Sequence, residues 1–330
     1  MKGLRNVYRW MFAAAGVFAL TAGSAWGQAG WKPEKPVEIV TASAAGGSND
    51  RVARMIQRIM QDGKVVPVPV SVLNKPGGNQ TLSRTYLQQH AGDAHYFDIG
   101  NPTLISNHIM GITKQHFSDF TPIALLINEY SVFTVRADSP LRTAKDLIAR
   151  LKADPESVTF GVSNLGGTNH LTLSMAVKAG GIDPKKLKVV VFKTNAESTT
   201  AVMGGHIQMV AASIPSVIGQ IRAGAVRAIA VGDPQRMDGV MANVPTLREQ
   251  GIDVSLSNWR SIIAPKGLTP AQIAYWEEAL ARVVATDEWK KELEAQNWDG
   301  RFLRSREFAQ YMEKEYAATK AILSELGMAK

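Results

Sequence analysis

The sequence predicts an α/β protein with largely parallel sheets, and three observations carry that expectation. Short β-branched runs alternate with helical stretches along most of the chain. Several of those runs end in small or glycine-rich residues that open directly into a helical pattern. The composition, 45% apolar and 20% charged over 330 residues, supports a substantial core and suggests roughly two domains.

In chain order the first element is a leader. Lys2, Arg5 and Arg9 precede an apolar run from Met11 to Leu20, and Ala22, Gly23, Ser24 and Ala25 follow before Trp26-Gly27. Basic start, short apolar centre and small-residue exit make residues 1–27 a secretory signal peptide, with cleavage expected between Gly27 and Gln28 and Ala29 as a second candidate position. At about 10 residues the apolar run is too short for a bilayer, which takes ~20. Strands are then expected at 37–41, 65–72, 97–100, 131–136, 158–162, 187–192, 207–211, 226–231 and 261–264. A helix over 49–61 places Val52, Met55, Ile56 and Ile59 on one side, and another begins near Thr168. Near the C-terminus, Thr269-Pro270 reads as an N-cap followed by proline at the first helical position of a helix over 271–286. Helices over 288–296 and from a Ser305 cap to Gly327 complete three helices without intervening strands. Trp276, Trp289 and Trp298 are expected in packing.

Composition and motifs exclude several functions. Without cysteine there is no disulfide, thiolate metal site, iron-sulfur cluster or cysteine nucleophile. Beyond the leader, 34 basic and 29 acidic residues leave a mild +5, with no aromatic interleaving that would suit nucleic acid. No Gly-x-Gly-x-x-Gly or P-loop occurs, the six histidines lack metal-ligand spacing, and no cofactor is expected. Gly161-Val162-Ser163-Asn164-Leu165 resembles a nucleophile elbow until Leu165 replaces the required glycine. A hydrolase using Ser163 and His170 is the alternative from another class, and it lacks an identified orienting group.

One feature appears twice. The run 37–41 leads into Ala42-Ser43-Ala44-Ala45-Gly46-Gly47-Ser48-Asn49-Asp50, and the run 158–162 into Ser163-Asn164-Leu165-Gly166-Gly167-Thr168-Asn169-His170. In each, a Gly-Gly pair lets backbone approach a ligand and a Ser or Thr stands where it could cap a helix. Unpaired N–H groups and the positive end of a helix dipole favour an anion there. Ligands of open α/β sheets bind outside the carboxyl ends of strands, so two such turns on facing lobes suit a ligand with two polar ends.

These residues carry a family resemblance. Lys35-Pro36-Val37-Glu38-Ile39-Val40 with Ala45-Gly46-Gly47-Ser48-Asn49-Asp50-Arg51, Asn74-Lys75-Pro76-Gly77-Gly78-Asn79, Phe120-Thr121-Pro122-Ile123-Ala124, Gly167-Thr168-Asn169-His170-Leu171, Val244-Pro245-Thr246 and Trp259-Arg260-Ser261 run in order through the mature chain. Together they resemble the Bug-type periplasmic solute-binding receptors of tripartite tricarboxylate transporters. The resemblance implies a two-lobe periplasmic-binding-protein fold of type II, with lobe 1 from 31–128 plus 228–330 and lobe 2 from 129–227. It implies a non-enzymatic periplasmic monomer that closes on a small carboxylate (a dicarboxylate, tricarboxylate or aromatic acid) and delivers it to the transporter's membrane subunits, with a sensor protein as an alternative reader of the closed form.

Carried onto this chain, the resemblance implies ligand contact by Ser43, Ala44, Gly46, Gly47 and Asp50 in one lobe and by Ser163, Asn164, Gly167, Thr168 and His170 in the other. Asn101 and Thr103 match a first-lobe contact region, and Phe192, Lys193, Ser213 and Trp259 match positions near the cleft. Asp50 also suits the first helical turn through the dipole alone, His170 a backbone-satisfied helix face, and Trp259 hinge packing. Lys193 and Arg260 are the cations that could reach a carboxylate. Three departures from the family pattern, Ala45 for proline, Phe192 for tyrosine and Gln208 for an acidic residue, bear on which ligand is bound.

Overall fold

The structure, a computed structural model, describes residues 30–330. The expected leader and its cleavage site lie outside the described residues. Among the described residues no helix is long and apolar enough to cross a membrane.

The chain starts with β1 (Val37–Thr41), α1 (Ser48–Asp62), β2 (Val70–Asn74), α2 (Thr81–Gln88), β3 (Tyr96–Gly100), α3 (Thr103–Ile109) and β4 (Phe120–Asn128). It continues through β5 (Ser131–Arg136), α4 (Ala144–Ala153), β6 (Thr159–Val162), α5 (Thr168–Ala179), β7 (Lys188–Val191), α6 (Asn195–Met203), β8 (Met209–Ser213), α7 (Ile218–Arg222) and β9 (Val226–Val231). It closes with β10 (Arg260–Pro265), α8 (Pro270–Ala285), α9 (Asp287–Gln296), β11 (Asp299–Arg304) and α10 (Ser305–Glu325).

Two sheets result, one ordered β11-β4-β10-β3-β1-β2 and the other β7-β6-β8-β5-β9. Both are mixed rather than largely parallel. β1 pairs in parallel with β2 and β3, and β6 with β7 and β8, whereas β10 and β5 run antiparallel to their neighbours. The reversal follows from connectivity. β5 and β10 are the first strands after the two crossings between lobes, so each starts at the cleft end of its sheet and runs away from it.

The boundary expected at 227 moves. It falls inside β9, which pairs with β5, and Val231 bridges Thr246. Leu247, Ile252 and Val254 are buried in the same core as Phe133, Phe160 and Leu173, so lobe 2 extends to about residue 256. The other lobe's core joins Leu104, Ile105 and Trp259 with Phe308 and Met312 of α10.

Local chemistry accounts for the element ends. Pro67 and Pro69 offer no backbone N–H, so β2 begins at Val70 and not at 65. The Thr269 hydroxyl accepts from the Gln272 N–H while Gln272 answers the Thr269 N–H, a reciprocal cap ahead of Pro270. β11, which the sequence pattern did not indicate, separates the last two helices, and Ser305 is a first-turn residue of α10 following Arg304. Trp276, Trp289 and Trp298 are all buried.

The two crossings run side by side. Tyr130 bridges Ser257, and the Asn258 N–H donates to the Glu129 carbonyl at 2.7 Å. Between them sits a buried ion pair, Arg260 Nη2 to Glu129 Oε2 at 2.7 Å. Asn258 Nδ2 and Trp298 Nε1 also approach the Glu129 carboxylate, at 3.2 and 3.4 Å. Burial pushes the Glu129 carboxyl up, with Arg260 opposing, and pushes the Arg260 guanidinium down, with Glu129 opposing. A half-broken buried pair costs about 3–5 kcal/mol because the remaining charge is stranded. We therefore expect Arg260→Met to lose about that much stability in denaturant unfolding, and Glu129→Met combined with Arg260→Met to recover most of it. A double variant no more stable than the single one would contradict this account.

Candidate functional site

Each glycine turn has the same construction. After β1, Gly46 adopts φ +78°, a left-handed conformation that a side chain would strain, and Gly47 returns to φ −73° as the residue preceding α1. After β6, Gly166 has φ +68° and Gly167 φ −76° ahead of α5. A Cβ on Gly47 would come within 2.8 Å of the Ser43 Cβ, and one on Gly167 within 3.1 Å of the Asn164 Cβ. The glycines therefore permit a fold-back that substituted residues would disturb.

The lock in each turn is a side chain four residues on. Asp50 Oδ2 accepts from the Gly46 N–H at 2.8 Å, and His170 Nδ1 accepts from the Gly166 N–H at 3.1 Å. Burial pushes the Asp50 carboxyl up, but donors from Arg54, Asn74 and Gly46 outweigh it and hold the group below the usual carboxylate range. Burial alone pushes His170 down to about 4, so it is neutral at pH 7 and its Nδ1 can accept. Ser48 and Thr168 are not the caps. They are the first helical residues, the capping positions fall on Gly47 and Gly167, and no side chain caps either helix. The first-turn N–H groups are thereby left for a ligand.

Both turns open on one cavity of about 660 Å³, within the range of small-molecule sites. Ser43, Ala44, Gly46 and Gly47 line it from the first lobe with Asn101 and Thr103. Ser163, Asn164, Gly167 and Thr168 face them from the second lobe, with Phe192 and Lys193. Four expected contacts lie elsewhere. Asp50 and His170 point back into their own turns. Ser213 is buried, with its hydroxyl 3.0 Å from that of Ser48 and accepting from Asn195 Nδ2 at 2.8 Å, which makes it a strut between the lobes. Trp259 is core, edge-on to Phe308 at 5.6 Å between ring centroids.

The sequence reading missed Asn79, Gln80, Asn169, Asn195 and Asn258, which also line the cavity. Asn79, Gln80, Asn169 and Asn195 are carboxamides at or near helix starts, and Asn258 lies in the crossing just ahead of β10. Lys193 and Arg260 carry the formal positive charges of the lining, and the Arg260 guanidinium is engaged by Glu129 and Asn258. The cavity is thus mostly neutral donors and acceptors around two backbone nests. Further links cross the cleft: Arg51 Nη1 donates to the Pro215 carbonyl at 3.1 Å, and Asn79 Nδ2 to that of Leu165 at 3.3 Å. Ser163 and His170 do not form a nucleophile and base, since His170 Nδ1 takes the Gly166 N–H while Ser163 Oγ is approached by Asn164 Nδ2 at 3.3 Å.

Comparison with known proteins agrees with this architecture. Residues 52–328 match the model of the tripartite tricarboxylate transporter family receptor. A Cupriavidus necator protein, described as the UPF0065 protein in gbd 5'region, is 28% identical over 96% of this chain and 95% of its own. The solved structure of a TctC solute binding protein from Polaromonas is 27% identical, with a TM-score of 0.68, over 89% of this chain and 99% of its own. A Rhodopseudomonas palustris protein solved with adipate superposes with a TM-score of 0.82 at 22% identity, over 90% of this chain and 99% of its own. The chain belongs to the receptor family of the tripartite tricarboxylate transporters, the Bug-type solute-binding proteins, and has their two-lobe fold.

Proposed function

We propose that the protein is an exported receptor, its leader removed near Gly27, that captures a small carboxylate in the interlobe cavity and hands it to the membrane subunits of its transporter. The observation that carries this reading is the pair of matched glycine turns opening on the same cavity. Each offers uncapped helical N–H groups, and the carboxylate would be held by these and by the hydroxyls of Ser43 and Ser163. The adipate bound by the R. palustris relative supports a carboxylate ligand. Contacts from Ser48, Arg51 and Asn79 to the opposite lobe support a closed form in which ligand and lobes stabilise one another. That closed form is the species the permease would read.

Thermal shift and titration calorimetry with mono-, di- and tricarboxylates test the reading. A ligand that binds only the folded chain raises its stability by RT ln(1 + [L]/Kd), about 2.7 kcal/mol at 100 times Kd. A panel without any shift or heat would refute it. For the best ligand, Ser163→Ala removes one hydrogen bond to a charged group, worth about 1.5–3 kcal/mol, and should weaken binding at least about tenfold with little change in unliganded stability.

The second turn should also be acid-sensitive. His170 titrates at about 4 in the fold against an ordinary 6.5, so the unfolded chain binds the extra proton between those values. Its contribution to stability is complete above pH 6.5 and is lost as the pH falls toward 4. The melting temperature of the unliganded protein should drop over that window, and His170→Asn, which keeps an acceptor but cannot titrate, should flatten the drop.

A further inference from the structure

The first-lobe wall of the cavity is backed by a buried cation that the reading above does not use. Arg84 of α2 is fully buried, and among the described residues it forms no ion pair and its Nε and Nη1 have no partner. Its Nη2 donates to Thr103 Oγ1 at 2.8 Å and lies 3.5 Å from Asn101 Oδ1. Both residues line the cavity, as does Gln80. Burial lowers the guanidinium to about 10, with Asp98 opposing, so it stays charged at neutral pH, while burial raises Asp98 to about 7.

The hydrogen bonds radiating from this charge have a single consistent direction. Thr103 Oγ1 accepts from Arg84 and turns its own proton toward Asn101 Oδ1 at 2.6 Å, with Gln80 Oε1 at 3.2 Å as a second acceptor, and Asn101 Oδ1 also accepts the Thr103 N–H at 3.0 Å. The Asn101 carboxamide is therefore oriented, and its Nδ2 donates to Gln80 Oε1 at 2.6 Å. Reversing either carboxamide would set donor against donor. The acceptor atoms of this wall are thereby consumed, and the groups left toward the cavity are the Gln80 Nε2 hydrogens and the second Asn101 Nδ2 hydrogen. The segment that presents Gln80 is held by force of context: Gly77, Gly78, Asn79 and Gln80 all have positive φ, at +122°, +56°, +49° and +74°. Asn79 is clamped there by reciprocal bonds with Asn107 at 2.7 and 2.6 Å.

We propose that Arg84 is a positioning residue that sets the hydrogen-bond polarity of the Gln80–Asn101–Thr103 wall, so that this wall takes a second anionic group of the ligand and rejects an ammonium. The inference rests on the receptor reading and adds which substituent the far end of the ligand carries. A ligand anchored by one carboxylate on the glycine turns would place its other carboxylate against Gln80 Nε2. An ω-amino acid of the same length would set its ammonium against the donor hydrogens of Gln80 and Asn101 and a buried like charge.

Calorimetry on the full mature chain with three pairs, succinate and β-alanine, glutarate and 4-aminobutyrate, adipate and 5-aminopentanoate, tests the proposal. Within each pair an ammonium replaces one carboxylate. The best-bound dicarboxylate should exceed its partner by at least about thirtyfold. Arg84→Met should cut that preference to under about fivefold, and Arg84→Lys, which keeps the charge, should retain most of it. Gln80→Glu reaches the cavity side without disturbing the buried cation, so it reads the wall even if Arg84→Met fails to fold. It should weaken the dicarboxylate at least about tenfold and narrow or invert the preference. A preference under about threefold in the native protein, or one unmoved by Gln80→Glu, overturns the inference and leaves the receptor reading intact. Binding of none of the three dicarboxylates, with a monocarboxylate of the wider panel bound, also overturns the inference and leaves the receptor reading intact, whereas silence of the whole mono-, di- and tricarboxylate panel overturns both.

Discussion

Two hydrogen bonds, from the first glycine of each turn to the side chain four residues later, are the constraint on which the site depends. Without an acceptor at Asp50 or His170, the N–H of Gly46 or Gly166 would be stranded in a partly buried fold-back, and the turn would have no reason to hold its left-handed glycine. With it, the next glycine meets the helix in extended geometry and the first-turn amides face outward. The two lobes reach this end with different chemistry. Asp50 is charged and needs Arg54 and Asn74 around it, while His170 is kept neutral by burial alone. Equivalent geometry from a carboxylate and an imidazole argues that the geometry, and not the side-chain identity, is what the site requires.

The hinge and the site are physically continuous. Thr168 Oγ1 donates to Asn258 Oδ1 at 3.2 Å, Arg260 Nη1 donates to the same oxygen at 2.8 Å, and Arg260 pairs with Glu129 at the crossing. Under the proposed function, a ligand held by the first-turn amides of α5 would sit beside this chain of polar contacts, which leads into the crossing between the lobes. Under the proposed function, the same chain explains why a cavity for an anion would display so little free positive charge. One of its two lining cations is committed to the crossing between the lobes, and the anion would be left to amides and hydroxyls.

Much of the fold could be read from the sequence, because most strands are β-branched runs ending in small residues and α1 and α8 carry regular apolar spacing and clear starts. The reading failed where local signals pointed elsewhere. β4 contains Pro122, which the sheet accommodates at a register shift opposite Ile262 and Ile263, and β11 is an edge strand, Asp299-Gly300-Arg301-Phe302-Leu303-Arg304, with no alternation to detect. The lobe boundary was misplaced because residues 232–256 have no regular strand and join their lobe only through packing. At the site, both glycine turns were legible as motifs. The roles of Asp50, His170, Ser213 and Trp259 were not, since motif proximity cannot tell a side chain facing a ligand from one turned back into its own turn or into the core. Gln80 and Asn79 escaped because their position depends on a backbone conformation that their residue types seldom adopt.

A cavity whose anchors are main-chain amides has an evolutionary consequence. Under the proposed function, side chains such as Phe192, Asn195 and Gln80 could be exchanged one at a time while the glycine turns went on gripping a carboxylate, so a change of diet for the cell would not have to pass through a receptor that binds nothing. The scaffold separates the question of whether an acid is held from the question of which acid it is, and only the second is left open to point mutation.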